Sequence, residues 1–343
     1  MVPVAGVRLR CSARAVISRR CFLTGVATAL APIGAAAHAQ EYKAQQAGKV
    51  WRIGYLGGGS PATTPSEPFV QELRRLGWNE GQNLTIEYRW AEGGADRLYD
   101  LGREMVALKV DVIVVSAPSS SASLVVPTRT TPVVTSTFDR PLGAERDSPL
   151  RPLRNVTGVN IMAGELMAKQ LQLLHEALPR ARRVVVLRRK GNYSLGQLQE
   201  AATILGLRLV RVEIGVPEID ELTAAERRIA REKFDAALVE SHHALLHHRR
   251  LVVDLLARSR LPTIFPSGDY VEAGGLMSYG PSTVEIQRQM ARVVDRLFRG
   301  TKVADLPIEQ PTKFELVINL KTAKALGLTM PQPLLLRADE LVQ

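Results

Sequence analysis

The chain has 343 residues, a formal net charge of +11 and two cysteines, Cys11 and Cys21, both near its start. Past that start no disulfide, thiolate nucleophile or thiolate metal site can be built. Residues 1–39 hold five arginines and no acid, so their removal lowers the charge from +11 to +6, an ordinary solubility charge that argues against a nucleic-acid partner.

The opening segment sets twin arginines in Ser18-Arg19-Arg20-Cys21-Phe22-Leu23, after a basic leader (Arg8, Arg10, Arg14) and before an uncharged run from Cys21 to Ala37. The run ends in Ala37-His38-Ala39, the small-x-small pattern cut by a signal peptidase. This reads as a bacterial export signal of the twin-arginine type over residues 1–39. The run is rich in Ala and Gly, is broken by Pro32, and falls short of the roughly 20 residues a membrane span needs. The expectation is therefore cleavage after Ala39 and a periplasmic protein with no stable membrane insertion. Cys21 precedes the apolar run instead of following it, so no lipoprotein anchor is expected. Residues 40–48 are polar and patternless, a tether.

Short apolar runs then alternate with helical patterns. Val50–Leu56 predicts a strand ending in Gly57-Gly58-Gly59-Ser60, and Leu84–Tyr88 alternates in polarity as an edge strand does. Asp111–Ser116 and Pro132–Thr135 are continuous apolar runs, expected of strands covered on both faces. Leu98, Leu101, Met105 and Leu108 share one helical face. The second half repeats the scheme, with strands at 184–187, 207–212, 236–239 and 262–265 and helices near 165–178, 194–205 and 243–259. The cleanest helix is 284–299, where Ile286, Met290, Val293, Val294, Leu297 and Phe298 form one stripe and Gly300 supplies the stop. Two successive β-α-β-α blocks predict two α/β lobes with mostly parallel sheets, and such sheets bind ligands at the C-terminal ends of their strands.

The loops at those ends are rich in hydroxyls: Gly59–Thr64, Ser116–Ser121 and Ser136–Asp139. They suit a small polar ligand. Gly57-Gly58-Gly59 completes neither a G-x-G-x-x-G fingerprint nor a phosphate loop and reads as a tight turn. No G-x-S-x-G elbow occurs. His243 and His247 stand four apart, a spacing that can serve a metal, but no H-E-x-x-H carboxylate accompanies them and Arg249-Arg250 follow. A solvated basic helix face is the simpler account, and no metal or cofactor is expected. Arg188-Arg189-Lys190 ends a strand where a cleft would lie and could meet a carboxylate.

The last third carries long blocks: Val271–Pro281, then Ala304–Leu328, which includes Asp305-Leu306-Pro307-Ile308-Glu309-Gln310-Pro311-Thr312-Lys313-Phe314-Glu315-Leu316. With Leu73–Trp78, Asn83–Gly93 and Asn155–Gly158, these resemble the periplasmic substrate-binding proteins of ABC transporters, in the subfamily that includes tryptophan/tyrosine-type components. The resemblance spans residues 50–343. It implies a type I periplasmic-binding-protein fold: two Rossmann-like lobes joined by three hinge crossovers, near 153–160, 270–280 and 300–312. The lobes would comprise 49–153 plus 275–305 and 156–272 plus 308–343.

It also implies a non-enzymatic receptor whose partners are a small-molecule solute and an ABC transporter permease, working as a monomer. Its binding loops map onto Ser60, Ser116 and Ser119, and Asp139 in the first lobe. In the second they map onto Arg188, Asn192 and Tyr193, onto Glu240, and onto Ser267 and Asp269, in a loop that runs to Tyr270. Where relatives carry an Asn-Pro-x-Asn loop, this chain reads Arg188-Arg189-Lys190-Gly191-Asn192-Tyr193. The resemblance thus speaks to fold and receptor role and leaves the solute, an amino acid or another carboxylate, open. An exported cofactor enzyme and a ligand-sensing subunit for a membrane signalling protein are the alternatives.

Overall fold

Strand alternation decides how the core is divided. The computed structural model describes residues 48–117, 128–137, 155–161, 163–190, 195–215 and 219–343; the leader at 1–39 and nearly all of the tether lie outside them. Five strands, β1 (Trp51–Gly57), β2 (Leu84–Trp90), β3 (Val112–Ser116), β4 (Val133–Thr137) and β5 (Val156–Asn160), form a parallel sheet in the order β2-β1-β3-β4-β5. In β3, Val112 and Val114 face one apolar cluster while Ile113 and Val115 face another. Successive side chains point to opposite faces, so a run that is apolar throughout must be covered on both. Helix α1 (Glu67–Arg75) contributes to the first cluster, and α2 (Ala95–Ala107) contributes Leu98 and Met105 to the second. The alternating strand β2 lies at the sheet edge, as its polarity predicts.

The second sheet has seven strands: β6 (Arg183–Arg189), β7 (Arg208–Ile214), β8 (Ala236–Val239), β9 (Thr263–Phe265), β10 (Met277–Pro281), β11 (Phe314–Asn319) and β12 (Glu340–Val342). Their order is β12-β11-β10-β9-β8-β6-β7, and only the β10–β11 pair is antiparallel. Helices α3 (Ala163–Ala177) and α4 (Gly196–Ile204) pack with Val184 and Val186 on one face. On the other face, Val185 and Leu187 meet α5 (Ile219–Arg231), α6 (His243–His247), α7 (Arg249–Arg258) and α8 (Gly268–Glu272). The helix expected over 243–259 is two helices, because His248 (φ −96, ψ 25) caps both α6 and α7.

Helix α9 (Thr283–Phe298) follows β10 in the chain yet packs on the first sheet, and its predicted stripe is buried in that lobe's core. Gly300 (φ 94) closes it in the left-handed region, letting Thr301 N–H donate to the Arg296 carbonyl at 3.0 Å. The placement of β10 corrects the expected boundary at 275: Met277–Pro281 pairs with β9 and β11, so the chain returns to the first lobe after Pro281. The three crossings fall between β5 and the body of α3, at 281–283 and at 309–314. The first and third run side by side, since Asn160 N–H donates to the Glu309 carbonyl and Glu309 N–H to that of Gly158, both at 2.8 Å, and the second joins the third where Ser282 N–H donates to the Lys313 carbonyl at 3.1 Å. No helix among the described residues is long and apolar enough to cross a membrane.

Candidate functional site

The C-terminal ends of β1, β3 and β4 in one sheet and of β8 and β9 in the other face a shared cleft of about 690 Å³, counting its open mouth. From the first lobe it is lined by Thr63, Thr64, Ser116, Ser136, Ile286 and Gln287. From the second come Ser241, His242, His243, Leu246, Ser267 and Tyr270.

The first-lobe wall is a set of braced hydroxyls. Thr64 Oγ1 accepts from Gly59 N–H at 3.1 Å, and Thr63 Oγ1 accepts from Ser60 N–H at 2.8 Å, so the loop after β1 folds its threonines toward the cleft. Gln287 Nε2 donates to Ser116 Oγ at 2.7 Å and to the Tyr55 hydroxyl at 3.1 Å. Burial pushes the Tyr55 phenol up to about 12, so it acts here as a neutral hydrogen-bonding group. Gln287 is a polar residue buried beside the apolar stripe of α9; it serves the site because that helix ends β10's crossing into the first lobe.

The second-lobe wall is built around α6. His242 is its N-cap, with Nδ1 accepting from Ala244 N–H at 3.0 Å, and its ring stacks on that of His243 at 4.4 Å. Burial holds the His242 imidazole well below the usual histidine range, and the nearby His243 and Arg189 add to the effect. His247 reaches the other lobe, its Nδ1 3.3 Å from Thr63 Oγ1. Small residues opposite make room: a Cβ on Gly58 would stand 2.9 Å from His243 Cβ, and one on Gly93 3.2 Å from His247 Cδ2. The solvated basic face expected here is thus corrected, since His242 and His243 are buried against the facing lobe. Among the described residues no three His, Cys, Asp or Glu side chains converge as metal ligands.

Of the residues singled out from sequence, Ser116 and Ser267 line the cleft. Ser60 does not; it braces Thr63, whose Oγ1 lies 3.1 Å from Ser60 Oγ. Arg188 and Glu240 are both buried and face one another at 3.6 Å, and the second Glu240 oxygen accepts from Arg189 N–H at 3.0 Å. Strand alternation sets Arg188 on the face of Val184 and Val186, so it ties β6 to the end of β8 instead of reaching into the cleft. Asp269 accepts from Ser267 Oγ at 2.8 Å and is not part of the lining. Ser119, Asp139, Asn192 and Tyr193 lie outside the described residues. Sequence reasoning gave no role to Thr283 or Gln287, and it weighed the histidines only as a metal site or a solvated face.

Two α/β lobes, a chain that crosses between them three times, and a cleft built from strand ends define a two-lobed binding protein of the type I periplasmic-binding-protein fold. Residues 65–342 match the model of the ABC transporter substrate binding protein family, and the chain belongs to that family, whose members are binding proteins and not enzymes. A tyrosine-binding protein of Clostridioides difficile is 22% identical over 269 residues, covering 76% of this chain and 75% of that one. A conserved domain protein from Vibrio cholerae superposes with a TM-score of 0.75 at 24% identity, over 85% of this chain and 100% of its own. An ABC domain from Streptococcus pneumonia, solved in complex with L-Trp, gives 0.73 at 24% identity, over 85% and 99%. At such identities the two solved structures speak to the fold alone.

Proposed function

We propose that this chain is the solute receptor of an ABC importer, exported through its twin-arginine leader to the periplasm, and that it closes its lobes on a small zwitterionic solute of the amino-acid class. The observation that carries the reading is the chemistry of the cleft. Among its described lining residues none is Lys, Arg, Asp or Glu; the polar groups are hydroxyls, a buried amide and imidazoles, interleaved with Ile161, Leu246, Ile286 and Pro266. Hydroxyls and backbone amides serve an ammonium and a carboxylate carried by one molecule without leaving a net charge behind, and the apolar groups accept the rest of it. The likeness to a tyrosine-binding protein favours an aromatic amino acid.

The test is a thermal-shift and calorimetric screen of the purified protein against L-Tyr, L-Trp, L-Leu, glucose and myo-inositol. An aromatic amino acid is expected to bind at micromolar or tighter Kd. At a hundredfold excess over Kd it should raise the melting temperature by about 5 °C. A screen in which no amino acid shifts the melting curve would overturn the reading.

A further inference from the structure

Tyr270 enters the cleft from α8, directly after β9. Its ring stacks on Phe265 with centroids 5.0 Å apart and planes within 16°, and it packs in the cluster that holds Leu245, Val252 and Leu256. That packing fixes the ring, so the hydroxyl cannot swing away to find a partner. The residue is fully buried, and its hydroxyl meets no hydrogen-bond partner among the described residues. Buried hydroxyls are nearly always paired, because an unpaired one forfeits its water without replacement. Burial, reinforced by Asp269 and opposed by Arg249, pushes the phenol well above its ordinary range, so it stays neutral and can both donate and accept.

We propose that the Tyr270 hydroxyl is the group by which the second lobe selects its solute, pairing with a neutral hydrogen-bonding group at the far end of the solute's side chain. The inference rests on the reading of the cleft as an amino-acid site and narrows it. The first-lobe hydroxyls Thr63, Thr64, Ser116 and Ser136 serve the amino and carboxyl groups, while Tyr270 serves a ring hydroxyl or ring N–H. A side chain that lacks such a group leaves the phenol buried with no partner among the described residues. A site built to hydrogen-bond a polar group discriminates strongly against the analogue without it.

Tyr270→Phe separates this role from a structural one, because the two predict opposite signs. Removing an unpaired hydroxyl from the empty protein should leave the melting temperature unchanged or raise it by a few degrees. The same change should weaken binding of whichever of L-Tyr and L-Trp the wild type holds by about tenfold or more. L-Phe should bind the wild type weakly and the variant no worse. A variant that melts lower while its Kd for the bound amino acid is unchanged would overturn the inference, by showing a structural partner for the hydroxyl. Equal losses for L-Phe and its polar analogues would also overturn it, by placing the contact elsewhere on the solute. A wild type that binds none of the three overturns the amino-acid reading and this one with it, whereas binding that Tyr270→Phe leaves intact overturns this one alone.

Discussion

His242 combines two duties that pull on its protonation state. Its Nδ1 must carry a lone pair to accept from Ala244 N–H and cap α6, and its ring lies buried against His243 at the cleft. The charges that act on it make protonation worse, since His243 and Arg189 both add to the effect of burial. The folded-state pKa is therefore depressed below the ordinary value near 6.5. A base with a depressed pKa binds more protons when unfolded, so its contribution is full above about pH 6.5 and is lost progressively as the pH falls below that. Chemical denaturation at pH 7 and pH 5 should show the protein less stable at the lower pH. His242→Asn keeps an oxygen acceptor at the N-cap and cannot titrate, so its loss between the two pH values should be smaller than that of the wild type. Equal losses in the two proteins would assign the acid sensitivity to other groups.

At the scale of elements, Glu72 is the tie between α1 and α9. It accepts from Arg75 Nε and Nη2, each at 2.8 Å, and from Arg292 Nη1 at 3.2 Å, while Arg292 Nη2 also reaches Glu285 at 2.5 Å. The Arg75 hydrogen bonds, with Arg292 assisting, hold its carboxyl down at about 2 against the desolvation that opposes them. A depressed carboxyl stabilises fully above its unfolded pKa and stops doing so as the pH falls from the mid-fours toward 2. Glu72→Gln should cost about 2 kcal/mol at pH 7, measured by denaturant titration, since Arg75 is solvated and part of the Coulomb gain is screened. The same variant should show little of the wild type's loss below pH 4.5. The elements most legible in the sequence are those whose pattern is local, such as the α9 stripe, the buried run of β3 and the alternating edge strand β2. Strands β5 and β10 were not, because Val156-Thr157-Gly158-Val159-Asn160 and Met277-Ser278-Tyr279-Gly280-Pro281 are short and carry turn residues; their pairing with distant partners makes them strands. The site divides in the same way. Ser116 and Ser267 follow from strand ends, whereas the burial of His242 and His243 depends on a facing lobe some 180 residues earlier in the chain. Arg188 misleads because strand phase, not position at a strand end, decides where its side chain points.

Over the whole molecule, the lobes are tied by three chain crossings that hydrogen bonds join, through Glu309 with Gly158 and Asn160 and through Ser282 N–H to the Lys313 carbonyl at 3.1 Å. On the proposed closure of the lobes, a connection of that kind would resist shear and leave opening and closing as the soft motion. The lobes meet where Gly58 faces His243, Gly93 faces His247, and Thr63 Oγ1 lies 3.3 Å from His247 Nδ1. Bare backbone on one side and imidazoles on the other allow a close approach, which a Cβ at Gly58 would obstruct. At Gly58 a Cβ would stand 2.9 Å from His243 Cβ and 2.8 Å from Ala117 Cβ, neither the end of a flexible side chain. Gly58→Ala should therefore hold the lobes apart. Relieving the overlap by strain costs about 1–3 kcal/mol, so affinity for the bound amino acid should fall by about tenfold. Small-angle scattering of the ligand-saturated variant should give a larger radius of gyration than the saturated wild type. Lowered melting temperature with Kd and radius unchanged would instead put the clash within the first lobe, against Ala117, and would argue that closure does not bring Gly58 onto α6.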